Sequence, residues 1–119
     1  MMELNLNCDL GEKSKHYDGH NDEALLKIVN TANIACGYHA GNKAVMEKTI
    51  MTAKINNVSI GAHPGFKDKR NFGRKRLNLN KIEIYELVLK QLKIISKISK
   101  KIKYPLTHVK PHGALNNMP

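Results

Sequence analysis

Residues 58–65 read VSIGAHPG, a short apolar segment that runs directly into a turn containing histidine, proline and glycine. The same order of features occurs at three other places along the chain. The four apolar segments are residues 4–8, 32–36, 58–62 and 106–110, and each leads into a polar stretch that contains glycine. Short apolar runs bounded by such turns are typical of buried β-strands. We therefore predict four strands whose carboxyl ends carry polar residues.

Helical patterns separate the four segments. Asn21 is placed to cap a helix over residues 22–29, and Asn42 is placed to cap a helix that reaches about residue 56. A third helix is predicted after Asn80, where apolar residues recur at helical spacing: Tyr85, Val88, Leu92, Ile95 and Ile102.

The alternation of strands and helices is typical of parallel strands joined by crossover helices. We predict an α/β fold of the β/α-barrel kind, with an open doubly wound sheet as the second possibility. In both architectures ligands bind at the carboxyl ends of the strands. The polar motifs are therefore expected to meet on one face of the molecule.

Composition excludes several classes of protein. The chain has 119 residues, a formal charge of +10 and two cysteines. Its length suits one domain, so residues 1–119 are predicted to form a single domain. Two cysteines cannot form a disulfide scaffold and the N-terminus lacks a signal-peptide pattern, so we expect a cytoplasmic location. No stretch is long and apolar enough to suggest a membrane span, and no membrane partner is expected.

The positive charge is concentrated in residues 67–76 and residues 90–103. The second group is predicted to be the solvent-facing side of the third helix. Aromatic residues do not alternate with the basic residues, and helix-turn-helix, zinc-finger and RNP patterns are absent from the sequence. A nucleic-acid partner is therefore not expected.

Polar residues surround the end of the first predicted strand. Asp9 and Glu12 are candidate catalytic residues, because a carboxylate there can orient a substrate, bind a cation or act as a general base. The alternative for both is a capped turn at the surface. Asn7 and Asn33 are candidate substrate-binding residues on the first and second strands.

Three histidines occupy equivalent positions after the second, third and fourth predicted strands: His39, His63 and His112. Imidazole transfers protons near neutral pH and binds divalent metals, so three of them at strand ends predict a catalytic site. The remaining histidines are interpreted as structural or solvent-facing: His16, His20 and His108. Glycines in the same turns allow the backbone to approach a ligand, and the candidates for substrate binding are Gly41, Gly65 and Gly113.

Two cations complete the candidate site. Lys110 lies between Val109 and Pro111 at a strand end, where its ammonium can stabilise an oxyanion or hold a phosphate. Arg74 lies in the basic loop after the third strand and is a candidate for binding an anionic substrate, with an exposed loop as the alternative.

A divalent metal is possible at this site, and one carboxylate with two imidazoles would be an ordinary ligand set: Asp9, His39 and His63. The sequence contains no HxH or HExxH spacing to support it. Cys36 is an alternative nucleophile beside His39, although nothing in the sequence indicates a lowered pKa of its thiol.

Five motifs, in this order, resemble those of the LamB/YcsF family: LNCDLGE (6–12), ANIACGYHAG (32–41), IGAHPGF (60–66), FGR (72–74) and HVKPHGAL (108–115). The resemblance extends over essentially all 119 residues. It implies a TIM-like β/α barrel of the glycoside hydrolase and deacetylase type, of which this chain would hold about four βα units.

The resemblance also implies an activity, that of ATP-dependent 5-oxoprolinase, whose A subunit works with B and C subunits to convert 5-oxo-L-proline to L-glutamate. ATP is then expected as a co-substrate bound with the partner subunits, because the sequence has no P-loop. Asp9 and the three histidines would transfer protons and activate water, while Lys110 and Arg74 would neutralise oxyanion or phosphate charge.

The sequence departs from the family pattern at residues 13–15, which read Lys-Ser-Lys, and at Asn116, where a tyrosine is usual. Relatives also continue through further βα units, so we expect this chain to correspond to the N-terminal half of a barrel. Three interpretations follow. The chain could work when completed by a second half or a second copy, as a homo-oligomer; it could be an inactive remnant; or it could bind a ligand without catalysis.

Overall fold

The computed structural model describes residues 6–14, 19–71 and 78–113. Four strands alternate with three helices, and one short 3-10 turn, Lys69–Asn71, lies between the third strand and the third helix. The elements in chain order are β1 (Asn7–Leu10), α1 (Asp22–Leu26), β2 (Thr31–Ala35), α2 (Lys43–Ile55), β3 (Ser59–His63), α3 (Lys81–Ile102) and β4 (Leu106–Val109).

The strands form one parallel sheet in the order β1-β2-β3-β4. Sequential order is the order of a β/α barrel, whereas a doubly wound sheet reverses its strand order at a switch point. The predicted α/β fold with parallel strands is therefore confirmed, and the four described strands show no such reversal. The predicted strand positions agree to within one residue for β2, β3 and β4, and residues 4–5 of the first prediction lie outside the described residues.

The helices cover one face of the sheet and enclose the hydrophobic core. Alternate strand residues point to that face, because successive side chains in a strand project to opposite sides. Its buried members include Leu10, Ile34, Ile60, Ile50 and Ile95. The opposite face of the sheet carries the polar side chains of the strands and forms the inner face of the fold.

Asparagine caps two of the three helices, as the sequence indicated. The Asn42 side chain accepts a hydrogen bond from the Val45 amide at 2.9 Å, and Asn80 forms a reciprocal capping box with Glu83. The prediction for Asn21 is wrong, because its backbone is already close to helical and its side chain makes no capping hydrogen bond. The helix that follows ends at Leu26 rather than residue 29.

The buried side chains of α3 all lie in its second half, from Gln91 onward. Ile95 is buried as predicted, but Tyr85 is 67% exposed, so its assignment to the apolar face was wrong. The described core reaches only the later turns of this helix, which periodicity along a single helix cannot reveal. The lysines of residues 90–103 are all exposed, as expected for a solvated helix face.

No helix within the described ranges combines the length and the apolar character needed to cross a lipid bilayer. The single-domain assignment and the cytoplasmic location stay predictions.

Candidate active site

All six predicted catalytic residues converge at the carboxyl ends of the strands. Asp9 is on β1 and Glu12 lies two residues past its end, whereas His63 is the last residue of β3 rather than part of the turn. His39 follows β2 by four residues, and Lys110 and His112 follow β4. Parallel strands gather these positions because all of their carboxyl ends lie at one edge of the sheet.

Four of these residues form a compact group that we call the histidine cluster: Glu12, His39, His63 and His112. The Glu12 Oε2 atom lies 2.8 Å from His39 Nε2, 3.5 Å from His112 Nδ1 and 3.7 Å from His63 Nε2. The rings of His39 and His112 are stacked, with centroids 3.9 Å apart, and the His63 ring stands almost perpendicular to both. One carboxylate oxygen thus faces a ring nitrogen of each of three imidazoles.

Burial sets the protonation of the cluster. It lowers the pKa of His39 to about 4, against the opposing effect of Asp9, and it also lowers the pKa of His63. Burial raises the pKa of Glu12, although His63 and His112 act in the other direction. His39 and His63 are consequently neutral imidazoles near pH 7, with one nitrogen of each ring available as an acceptor or ligand.

The tautomer of His63 follows from its backbone partner. Its Nδ1 atom lies 2.6 Å from the carbonyl oxygen of Lys110, which can only accept, so Nδ1 carries the proton. In the neutral ring Nε2 is then unprotonated, and it lies 3.1 Å from His112 Nδ1 and 3.5 Å from Asp9 Oδ2. The backbone at the end of the fourth strand therefore aims a nitrogen lone pair of a third-strand histidine into the site.

Asp9 and Lys110 form an ion pair at the mouth of the site. The Lys110 ammonium lies 3.1 Å from Asp9 Oδ1, and the Asn33 amide donates to the same oxygen at 3.2 Å. Burial alone would raise the pKa of Asp9, but His63, Lys110 and Asn33 outweigh it and hold that pKa below its ordinary value. Both side chains are partly exposed, so an ionised carboxylate and an ammonium face the solvent side of the histidine cluster.

The inner face of the sheet continues below this pair as a polar network. Asn33 is buried; its amide also donates to Asn7 Oδ1 at 3.3 Å, and its carbonyl oxygen lies 2.6 Å from His108 Nε2. A cavity of about 360 Å³ lies against this surface and is lined by Asn7, Thr31, Asn33, His108 and Lys110. The strands thus present a polar cavity beside the ion pair.

Comparison with known proteins gives a consistent result. The family model described as "LamB/YcsF family" matches residues 4–119. The chain belongs to the LamB/YcsF family.

Its curated relatives are A subunits of 5-oxoprolinase. The one from Staphylococcus epidermidis is 49% identical over 98% of this chain and 46% of that protein. The one from Bacillus thuringiensis is 47% identical over 99% of this chain and 47% of that protein. A crystal structure of a lactam utilization protein from Thermus thermophilus superposes with a TM-score of 0.89 at 40% identity, covering 95% of this chain and 46% of that one. The chain spans about half the length of the relatives it matches.

Two of the predicted substrate-binding glycines of this LamB/YcsF chain have a packing role in the structure. Gly65 is buried beneath His39, and a Cβ atom there would lie 2.6 Å from His39 Nδ1. Gly41 has a φ of +76°, and a Cβ atom would collide with the Gly11 carbonyl oxygen. Gly113 is surrounded by open space at the site's edge. Contact of these glycines with substrate stays a prediction.

Sequence reasoning missed two residues that shape the site. His108 was interpreted as structural or solvent-facing, but its ring lies on the inner face and contacts Asn33. Its position two residues before Lys110 was the available signal, because alternate strand residues share a face. Gln91 was also missed; its buried side chain bonds both the amide and the carbonyl of Gly65, at 2.9 and 2.8 Å.

Cys36 does not qualify as a nucleophile. Its side chain is buried in the core, where burial raises the thiol pKa to about 12, so the reactive thiolate is not formed at neutral pH. The alternative of a catalytic cysteine was therefore wrong. Arg74, predicted to bind an anionic substrate, lies outside the described residues, as does His16.

Proposed function

We propose that this chain belongs to the first of the 5-oxoprolinase subunits, the A type, and carries part of the site that opens 5-oxo-L-proline to L-glutamate. The observation that carries the proposal is the Asp9–Lys110 ion pair held beside the histidine cluster at the strand ends. The names of the relatives support the substrate class, since they are 5-oxoprolinase A subunits and a lactam utilization protein.

Opening a lactam requires a polarised carbonyl, an activated water and a proton for the departing nitrogen. Lys110 supplies a cation for the developing negative charge on the lactam oxygen. Asp9, ionised and 3.5 Å from His63 Nε2, is placed to orient or deprotonate a water molecule. The histidine cluster activates water on the buried side, and Asn33 fixes the carboxylate of Asp9.

An unstrained five-membered lactam resists hydrolysis, so we propose that ATP is a co-substrate. The terminal phosphoryl group passes to the lactam oxygen and ADP leaves; water then adds to the ring carbon. The ring C–N bond breaks as the nitrogen takes a proton, and a second water releases phosphate from the resulting acyl phosphate. Lys110 and Arg74 are the candidate residues for neutralising the phosphoryl charge.

We also propose B and C subunits as partners, with ATP bound together with them, because the chain has no P-loop. The word "subunit" in the names of the relatives supports an assembly of several different chains. A homo-oligomer that completes the barrel is the alternative assembly.

The test is glutamate release from 5-oxo-L-proline and ATP by the complex reconstituted with partner subunits. His63→Ala is expected to abolish release, while His20→Ala, at an exposed position away from the site, is expected to leave it unchanged. Unchanged turnover in His63→Ala would remove this residue from the mechanism. Binding of 5-oxo-L-proline without turnover in the unaltered complex would favour the ligand-binding module.

A further inference from the structure

We propose that the histidine cluster is a binding site for one divalent transition-metal ion of the zinc type. Its ligand atoms are one carboxylate oxygen of Glu12 and one ring nitrogen each of His39, His63 and His112. The proposal rests on geometry and ligand chemistry, and it stands whether or not the chain opens lactams.

The distances within the cluster match the edges of a coordination tetrahedron. Bonds of about 2.0–2.2 Å to nitrogen and oxygen place the ligands of a tetrahedral zinc ion roughly 3.3–3.6 Å apart. The Glu12 oxygen lies 2.8, 3.5 and 3.7 Å from the three nitrogens, and the nitrogens of His63 and His112 are 3.1 Å apart. Shifts of a few tenths of an ångström would therefore suffice to seat an ion between the four atoms.

The hydrogen bond to His63 is of the kind that orients metal-bound histidines. Such a ligand usually donates its other ring N–H to a carbonyl or carboxylate, which fixes the tautomer and directs the free nitrogen to the ion. The Lys110 carbonyl oxygen does this for His63 at 2.6 Å. Because the partner is a backbone atom, its position depends on the strand rather than on a mobile side chain.

Backbone packing also fixes His39. Its ring lies directly over Gly65, which Gln91 holds by two hydrogen bonds from α3. The side chain of His39 is fully buried and that of Glu12 is 13% exposed. Three of the four ligands are thus supported by residues outside the cluster or by stacking: His39 over Gly65, His63 on Lys110 and His112 against His39.

The ligand set selects the class of metal. Three imidazole nitrogens with one carboxylate oxygen suit zinc, cobalt, nickel or iron, whereas magnesium and calcium prefer sites made of oxygen atoms. The predicted set of Asp9, His39 and His63 is changed in one respect, because Glu12 and His112 complete the group and Asp9 borders it. Asp9 remains paired with Lys110 at the mouth of the site.

Metal binding by the purified full chain tests the proposal. After treatment with a chelator, the chain is titrated with zinc chloride and with magnesium chloride. Calorimetry and elemental analysis are expected to give one zinc ion per chain and no comparable binding of magnesium. Cobalt is expected to give the intense visible absorption of a four-coordinate ion. Zinc is also expected to raise the melting temperature, because it binds the folded state.

Variants assign the ligands. Glu12→Gln, His63→Ala and His112→Asn are each expected to weaken zinc binding by at least about tenfold, as loss of metal-site groups does. His108→Ala and His20→Ala are the matched controls, since both histidines lie outside the cluster, and they should bind zinc as the unaltered chain does. Circular dichroism confirms that each variant is folded, and His112→Asn, at the least buried of the three histidines, is the variant most tolerant of substitution.

Two results would overturn the proposal. One is an unaltered, folded chain that takes up no stoichiometric zinc or cobalt. The other is zinc binding that survives in the folded cluster variants or is lost equally in the two controls. Because none of these measurements uses 5-oxo-L-proline, a failure here is distinguishable from a failure of the proposed activity.

Discussion

The Nδ1 atom of His63 lies 2.6 Å from the backbone carbonyl oxygen of Lys110, so one residue of the fourth strand end serves the site twice. Its backbone fixes the tautomer of the imidazole, and its side chain pairs with Asp9 at 3.1 Å. The two functions belong to different atoms and can be separated by substitution. A change of the Lys110 side chain removes the ammonium and leaves the carbonyl in place.

Lys110→Ala is expected to lower the turnover of 5-oxo-L-proline by about 10²–10³-fold, the usual effect of losing a group that stabilises developing negative charge. Zinc stoichiometry should not change, because the Lys110 carbonyl still orients His63. Turnover by the reconstituted complex and zinc titration of the isolated chain give the two readouts. Lys97→Ala, on the exposed face of α3, is the control. Normal turnover in Lys110→Ala would exclude the proposed role of the ammonium.

Much of this site could be predicted from sequence because the fold simplifies the problem. Parallel strands with crossover helices place every carboxyl end at one edge, so residues as distant in sequence as Asp9 and Lys110 are expected to meet. The positions of the strand ends could be recognised from short apolar runs and glycine turns. The convergence of the three strand-end histidines needed no further information.

Other features depended on directions that spacing does not give. Glu12 follows Gly11, whose φ of +67° turns the chain, and no periodicity states where a side chain points after such a turn. Asp9 was consequently grouped with the imidazoles, although Glu12 is the carboxylate within the cluster. Gln91 depends on a contact with Gly65 across 26 residues, which one helix pattern cannot reveal.

Asn33→Ala is expected to reduce the free energy of unfolding by about 1–3 kcal/mol, because it leaves buried hydrogen-bonding groups without their partner. The Asn33 side chain bonds Asn7, Asp9 and His108 and is only 2% exposed. Urea denaturation followed by circular dichroism measures the change. Asn78→Ala, at an exposed position, should stay within about 0.5 kcal/mol of the unaltered chain. Equal stability of the two variants would show that the network contributes nothing.

Cys36 is expected to resist alkylation in the folded chain. Burial raises its pKa to about 12 and closes access to its sulfur, which donates to the Ile34 carbonyl oxygen. Iodoacetamide labelling followed by mass spectrometry should modify Cys36 only when urea unfolds the chain. Cys8, which is partly exposed, is the internal comparison and should be modified earlier. Rapid labelling of native Cys36 would restore it as a candidate nucleophile.

Gly65→Ala is expected to destabilise the chain by about 1–3 kcal/mol, the usual cost of overpacking a filled interior. The new Cβ would lie 2.6 Å from His39 Nδ1, and Gln91 prevents the backbone from moving away by bonding both polar atoms of residue 65. The ring must therefore shift, and zinc binding should weaken as well. The double variant His39→Ala/Gly65→Ala isolates the cause, because removing the ring removes the collision. In a double-mutant cycle measured by urea denaturation, the Gly65→Ala penalty should largely disappear in the His39→Ala background. A penalty of the same size in both backgrounds would mean that backbone strain at residue 65, and not the His39 ring, requires glycine there.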